Sequence, residues 1–244
     1  SDVKNAGVIY DRKHSSFFEL KLSSINWEEV FEGISWFHFT AISPALNANI
    51  ATLCEEALIV ATKKGITISL DLNYREKLWR YGVEPIDVIP KLARYAQVIM
   101  GNIWAAEKML GIAINPKLIG SGSESDLMEQ ANNTSKEILA KYPNCNTVAN
   151  TFRFNDQESV KYFAALYQKG NIYKSKTLFA TKTIDKVGTG DCFMAGLIYG
   201  ILHKQEPQQI VEFAARAAYQ KLFIKGDATT SETEEIEQLI QQDE

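Results

Sequence analysis

From Ser35 onward, short apolar runs alternate with longer amphipathic ones, and few folds tolerate that rhythm. Residues 36–40 read as a buried strand, 46–64 as a helix with apolar positions three and four apart, and 66–72 as a second strand rich in β-branched residues. Gly65 is the expected stop between the last two. The pattern goes on to predict a helix over 85–95, a strand over 97–100 and a helix over 104–110. A polar loop over 120–126, a helix over 127–141 and a strand over 147–152 follow. Strand and helix in turn, at this spacing, are what a parallel sheet covered by helices on both faces requires. Segments 160–167 and 172–178 read as a strand pair joined near Gly170-Asn171, and helices over 191–203, 207–223 and 232–241 close the sequence. One three-layer α/β domain over 23–244 is the economical reading. Residues 1–22 fall outside the rhythm. Their strand-like pieces, 8–11 and 17–20, flank Arg12-Lys13-His14 and are expected to form either a partial β lid or a plain edge hairpin.

The 244 residues are 45% hydrophobic, enough to bury one substantial core. The net charge of −4 is spread over interspersed signs with no basic stripe, which argues against a nucleic-acid partner. No apolar run is long enough to cross a bilayer, so no membrane partner is expected. Cys54, Cys145 and Cys192 are too few and too scattered for a disulfide framework, and no Cys-x-x-Cys pair suggests a metal site. A reducing, cytoplasmic setting fits that usage.

The segment that carries chemistry is Ile184-Asp185-Lys186-Val187-Gly188-Thr189-Gly190-Asp191, followed by Cys192-Phe193-Met194-Ala195-Gly196-Leu197. Two glycines one residue apart allow a tight turn and leave backbone amides uncovered. With a helix starting at once, those amides and the positive end of the helix dipole converge on one point suited to a phosphate. Asp191 sits in the first turn, facing the same place. Ala195, Gly196 and Gly200 make one side of this helix small, as close packing on the sheet would need. Taken alone, the segment reads equally well as an ordinary turn with an N-terminal Asp.

Asp-Lys-Val-Gly-Thr-Gly-Asp resembles the signature of the PfkB carbohydrate kinases, the ribokinase-like family, and Cys-Phe-Met-Ala-Gly continues the likeness. Val8-Ile9-Tyr10-Asp11-Arg12, Trp36-Phe37-His38-Phe39-Thr40, Ser69-Leu70-Asp71-Leu72-Asn73-Tyr74-Arg75 with Leu78-Trp79, and Lys225-Gly226-Asp227 resemble the 2-keto-3-deoxygluconate kinases within it. The resemblance implies a ribokinase-like fold and ATP-dependent phosphorylation of a sugar acid, with ATP and Mg2+ as cofactors. It implies that Asp191 is the general base and that Gly188, Thr189 and Gly190 form the anion hole. It further implies that Tyr10 and Arg12 reach the sugar acid from the lid and that Arg75 pairs with its carboxylate. Asn102, Thr151, Arg153, Asp185, Ala218 and Gly226 are implied around the nucleotide. Family members often pair lids, which leaves a homo-oligomer open.

Two departures stand out. The strand, adjacent glycines and further lid strands with which the family usually opens do not precede Ser1, so those strands are expected to be absent. The family's Asn-x-x-Glu is here Asn102 with Ala105 at +3, and Glu107 would point about 140° away on a helix, against about 60° for the +3 position. Asn102 therefore reads as a helix cap or as a functional residue. Three further readings stay open: a fructokinase-like kinase, an inactive relative acting as a binding module, and, least favoured for want of Gly-x-Gly-x-x-Gly, a nicotinamide-binding domain.

Overall fold

The computed structural model describes residues 12–118, 122–156 and 159–242. After a short helix α1 (Trp27–Val30), the order is β1 (Trp36–Thr40), α2 (Ala48–Lys63), β2 (Thr67–Asp71), α3 (Pro85–Ala93), β3 (Val98–Gly101), α4 (Ile103–Leu110), α5 (Glu124–Lys141) and β4 (Thr147–Asp156). Three strands follow, β5 (Ser159–Gln168), β6 (Asn171–Lys174) and β7 (Leu178–Thr181), and then α6 (Thr189–Leu202), α7 (Pro207–Lys221) and α8 (Thr233–Gln242). The sheet order is β1-β2-β3-β4-β5-β6, with β7 also on β5. Strands β1 to β4 pair in parallel, whereas β5 runs against β4, β6 and β7. All the strands but β5 thus point one way.

Alternation along each strand divides the interior in two. Ile68, Leu70, Ile99 and Val148 face Leu58, Ile89, Met109 and Ile138 of α2 to α5. The intervening Val98, Met100 and Ala149, with Tyr162 and Ala164, face Phe193 and Leu197 of α6 and Val211, Ala214 and Ala218 of α7. Helices therefore lie on both faces, as expected. Gly65 ends α2 at φ +70, a conformation costly for residues with a Cβ. Among the described residues no helix is long and apolar enough to cross a membrane.

Three details differ from expectation. The strand expected over 172–178 breaks into β6 and β7, because buried Ser175 takes the Ala164 amide on its side-chain Oγ at 2.9 Å. Gly196 and Gly200 turn to α7 and not to the sheet. A Cβ on Gly196 would stand 2.8 Å from Ala214 Cα and one on Gly200 3.0 Å from Ile210, while Ala195 is exposed. Phe17 to Leu20 lie in turns, not in a strand, and Phe18 O accepts the Asn47 side-chain amide at 3.1 Å. This segment covers α2 and β1, leaving an apolar cavity of about 260 Å³ bordered by Phe17, Leu20, Trp27, Phe39 and Leu53. The first half of the expected hairpin, 8–11, lies outside the described residues.

Candidate active site

The glycine-flanked turn opens α6 as its residues dictate. Gly188 is the N-cap at φ +78, and a Cβ there would lie 1.9 Å from Asp227 O, so both backbone angle and neighbour exclude a side chain. The first helical amide to find a backbone partner is that of Cys192, which donates to Gly188 O at 2.9 Å. The amides of Thr189, Gly190 and Asp191 have no partner among the described residues. Three bare N–H groups at the positive end of a helix form an anion site. Gly190 is exposed, and a Cβ on it would meet only Met100 Cε at 3.8 Å, so the approach to these amides is open.

The turn is braced from behind. Asp185 Oδ1 accepts from Val187 N at 3.0 Å and Oδ2 from Gly226 N at 3.1 Å, and these backbone donors hold its carboxyl below the usual range. Leu222 O accepts from the amides of Ile184 and Asp185. Thr189, buried, donates its hydroxyl to Lys186 O at 2.9 Å, and Lys186 Nζ donates to Asn155 Oδ1 at 2.8 Å.

Across from the turn lie the carboxyl ends of the strands, where open α/β sheets bind ligands. Asp191 is exposed and has no hydrogen-bond partner among the described residues, yet its charge acts on His38 of β1 and Asp71 of β2. Asp71 is 5% exposed. Burial lifts its carboxyl to about 7, with the Asn73 amide opposing, Asp191 adding and Arg75 opposing. Burial lowers the His38 imidazole, against smaller upward effects of Ser69 and Asp191. Its Nδ1 lies 2.8 Å from Ser69 Oγ, which also accepts from Trp36 Nε1 at 2.9 Å. Arg75 is exposed, with Nη1 donating to Tyr74 O at 2.8 Å. Arg153 of β4 is exposed on average, yet enough protein surrounds its guanidinium to lower its pKa, Tyr162 opposing and Arg75 adding. Asp191, Asp71, Arg75 and Arg153 thus form one electrostatically coupled group beside the bare amides. Such a group can take a proton on a carboxylate, an oxyanion on the amides, and a carboxylate or phosphate on the guanidinium groups.

Of the residues singled out in the sequence, the structure brings together Asp191, Gly188, Thr189, Gly190, Asp185, Gly226, Arg75 and Arg153. Thr151 lies half-buried two residues before Arg153 on β4. Ala218 lies on the inner face of α7, its side chain fully buried in the core. Asn102 is the N-cap of α4, with Oδ1 accepting from Ala105 N at 2.7 Å, the cap alternative of the two read from sequence. Arg12 is exposed, and its carbonyl accepts from Ser15. Tyr10 lies outside the described residues. No group of three His, Cys, Asp or Glu side chains that could hold a metal ion occurs among the described residues. Sequence reasoning passed over His38 and Asp71. The available signal was polar residues at every second place, His38 and Thr40 on β1, Ser69 and Asp71 on β2, in otherwise apolar strands.

A model of pfkB family carbohydrate kinases matches residues 1–234. A 2-dehydro-3-deoxygalactonokinase of Haloferax volcanii is 25% identical over 233 residues, 96% of this chain and 65% of that protein. The chain thus spans just under two thirds of that curated relative. Among solved structures, a 2-dehydro-3-deoxygluconokinase from Thermotoga maritima superposes with a TM-score of 0.86 at 34% identity, over 96% of this chain and 69% of that one. A fructokinase with bound ATP from Xylella fastidiosa gives 0.65 at 19% identity over 88% of this chain and 64% of that one, a likeness of fold alone.

Proposed function

Because the chain belongs to the pfkB family of carbohydrate kinases, we propose that it transfers the terminal phosphoryl group of ATP to a hydroxyl of a 2-keto-3-deoxy sugar acid, with 2-keto-3-deoxygluconate as the first candidate. In this reaction the sugar hydroxyl gives its proton to Asp191, its oxygen bonds to the phosphorus, and the bond to the leaving ADP oxygen breaks. Phosphoryl transfer needs positioning and charge neutralisation more than covalent help. The observation that carries the reading is the carboxylate of Asp191 directly after three unpaired helix-start amides. A base and an oxyanion site stand side by side there.

A sugar acid is favoured over a neutral sugar for two reasons. Arg75 offers a planar guanidinium, suited to a carboxylate through paired hydrogen bonds, within electrostatic reach of Asp71 and Arg153. The Haloferax and Thermotoga proteins are also named as kinases of such acids. Magnesium enters with the nucleotide in this reading, and membership of the carbohydrate-kinase family supports ATP as donor.

The test is release of ADP on adding MgATP and 2-keto-3-deoxygluconate. Asp191→Asn is expected to lose about 10²–10⁴ in turnover with little change in melting temperature. Turnover like the wild type in that variant rules Asp191 out as base. Arg75→Ala separates substrates, since it should harm the sugar acid far more than fructose. Ala105 in place of the family acid, with Asn102 committed to its cap, favours a second reading, a silent binder of the same ligands. Calorimetric binding of MgATP and sugar without ADP release would establish it.

A further inference from the structure

Lys221, the last residue of α7, is fully buried at 0% exposure. Lysines avoid such places because an ammonium loses its hydration there. Its Nζ donates to Ile224 O at 2.8 Å and has no other hydrogen-bond or ion-pair partner among the described residues. Closing a helix does not require this burial: Lys63, Lys91 and Lys141, in the last turns of α2, α3 and α5, are all exposed. A methionine would fill similar space without an ion to desolvate. The packing alone leaves the charge without a purpose.

The surroundings supply one. The turn that begins after Lys221 is fastened to the loop that opens α6 at three points. Leu222 O accepts from Ile184 and Asp185 amides, Gly226 N donates to Asp185 Oδ2, and Asp227 O presses on Gly188. The charge of Lys221 is felt by Asp185 and by Cys192, which flank Gly188-Thr189-Gly190 in sequence. Behind a helix start worth about half a positive charge, a full charge without water to screen it adds to the pull on any anion at the amides.

We propose that Lys221 is a positioning residue whose buried charge, held in place by the turn over 222–227, strengthens the grip of the Thr189, Gly190 and Asp191 amides on the phosphate end of the nucleotide. This rests on the reading of that turn as the phosphoryl site. Lys221 touches no substrate; it acts through the loop above it.

Two variants separate charge from anchoring. Lys221→Met removes both the charge and the hydrogen bond to Ile224, while Lys221→Gln removes the charge and keeps a donor. Titration calorimetry with MgATP and with adenosine, which bears no phosphate, is run beside thermal melting. Both variants are expected to bind MgATP about tenfold more weakly, to bind adenosine as the wild type does, and to melt no lower. Unchanged MgATP affinity in either variant overturns the role of the charge, and so does a parallel loss for adenosine, which would mean a distorted pocket. If Lys221→Met does not fold, Lys221→Gln alone decides by the same criteria. A wild-type chain that does not bind MgATP overturns the kinase reading and this one with it. Binding by the wild type with unchanged variants overturns only the part played by Lys221.

Discussion

Asp71 and Asp191 show how position decides what a carboxylate can do. Asp191 is exposed at a helix start, and Gly-Thr-Gly-Asp announces it in sequence because the turn, the amides and the acid are all local. Asp71 lies 5% exposed at the end of β2, and its lifted pKa of about 7 arises from burial by residues distant in sequence, so no local motif betrays it. The consequence is measurable. Between about pH 3.8 and 7 the unfolded chain has lost a proton that the native state keeps, so stability falls as pH rises through that window. The slope is at most about 1.4 kcal/mol per pH unit. Asp71→Asn should remove that slope, so its advantage in denaturant midpoint over wild type grows from pH 5 to pH 7 and then levels. Parallel stability curves for the two proteins would refute the assignment.

Elements were legible wherever periodicity was clean, as in α2 and β2, and less so where a side chain rewrites the backbone, as Ser175 does in splitting β6 from β7. The small face of α6 was visible in sequence, but whether it meets the sheet or another helix depends on α7, which the α6 sequence does not contain. Gly188→Ala tests the tightest of these element contacts. With a Cβ 1.9 Å from Asp227 O and φ at +78, the variant must displace the turn over 222–227, so MgATP affinity and melting temperature should fall together. A fall in neither would mean that the two loops are not in contact. At the start of α5, Glu124 meets Lys174 at 2.7 Å and Lys161 at 3.0 Å. Burial raises its carboxyl, but hydrogen bonds from Lys174, Lys161 and Thr177 outweigh that and bring it to about 2. Its contribution is therefore present above the ordinary glutamate range and lost as pH falls toward 2. Glu124→Gln should cost up to about 1 kcal/mol at pH 7, the half-exposed ion pairs being screened, and close to nothing at pH 2. An equal loss at both pH values would point to packing instead.

For the molecule as a whole, strand-helix alternation sufficed for the layered architecture, because each helix must bury its apolar stripe on the sheet that its neighbours form. The direction of β5 was less open to reading, since Gly170-Asn171 marks a tight turn after β5 but nothing equally compact marks the one before it. The register of β4 on β5 runs ten pairs from Thr147↔Gln168 to Asp156↔Ser159, whereas β1, among the described residues, has one neighbour only. Hydrogen exchange should accordingly be slowest for the middle of β4 and β5 and faster for the edge strands β1, β6 and β7. Equal protection of β1 would require something covering its outer edge.

From β1 to β6, each strand lies beside the one that precedes it in the chain. A polypeptide laid out in this order can be assembled as it leaves the ribosome, each new strand finding its neighbour already in place. The stretch that opens α6 and the turn that locks it, ending near Asp227, are made after all the described strands. A nascent chain would thus carry its paired strands, with one face already covered by α2 to α5, before the proposed phosphate site could form, and that site would close together with the second face of the sheet.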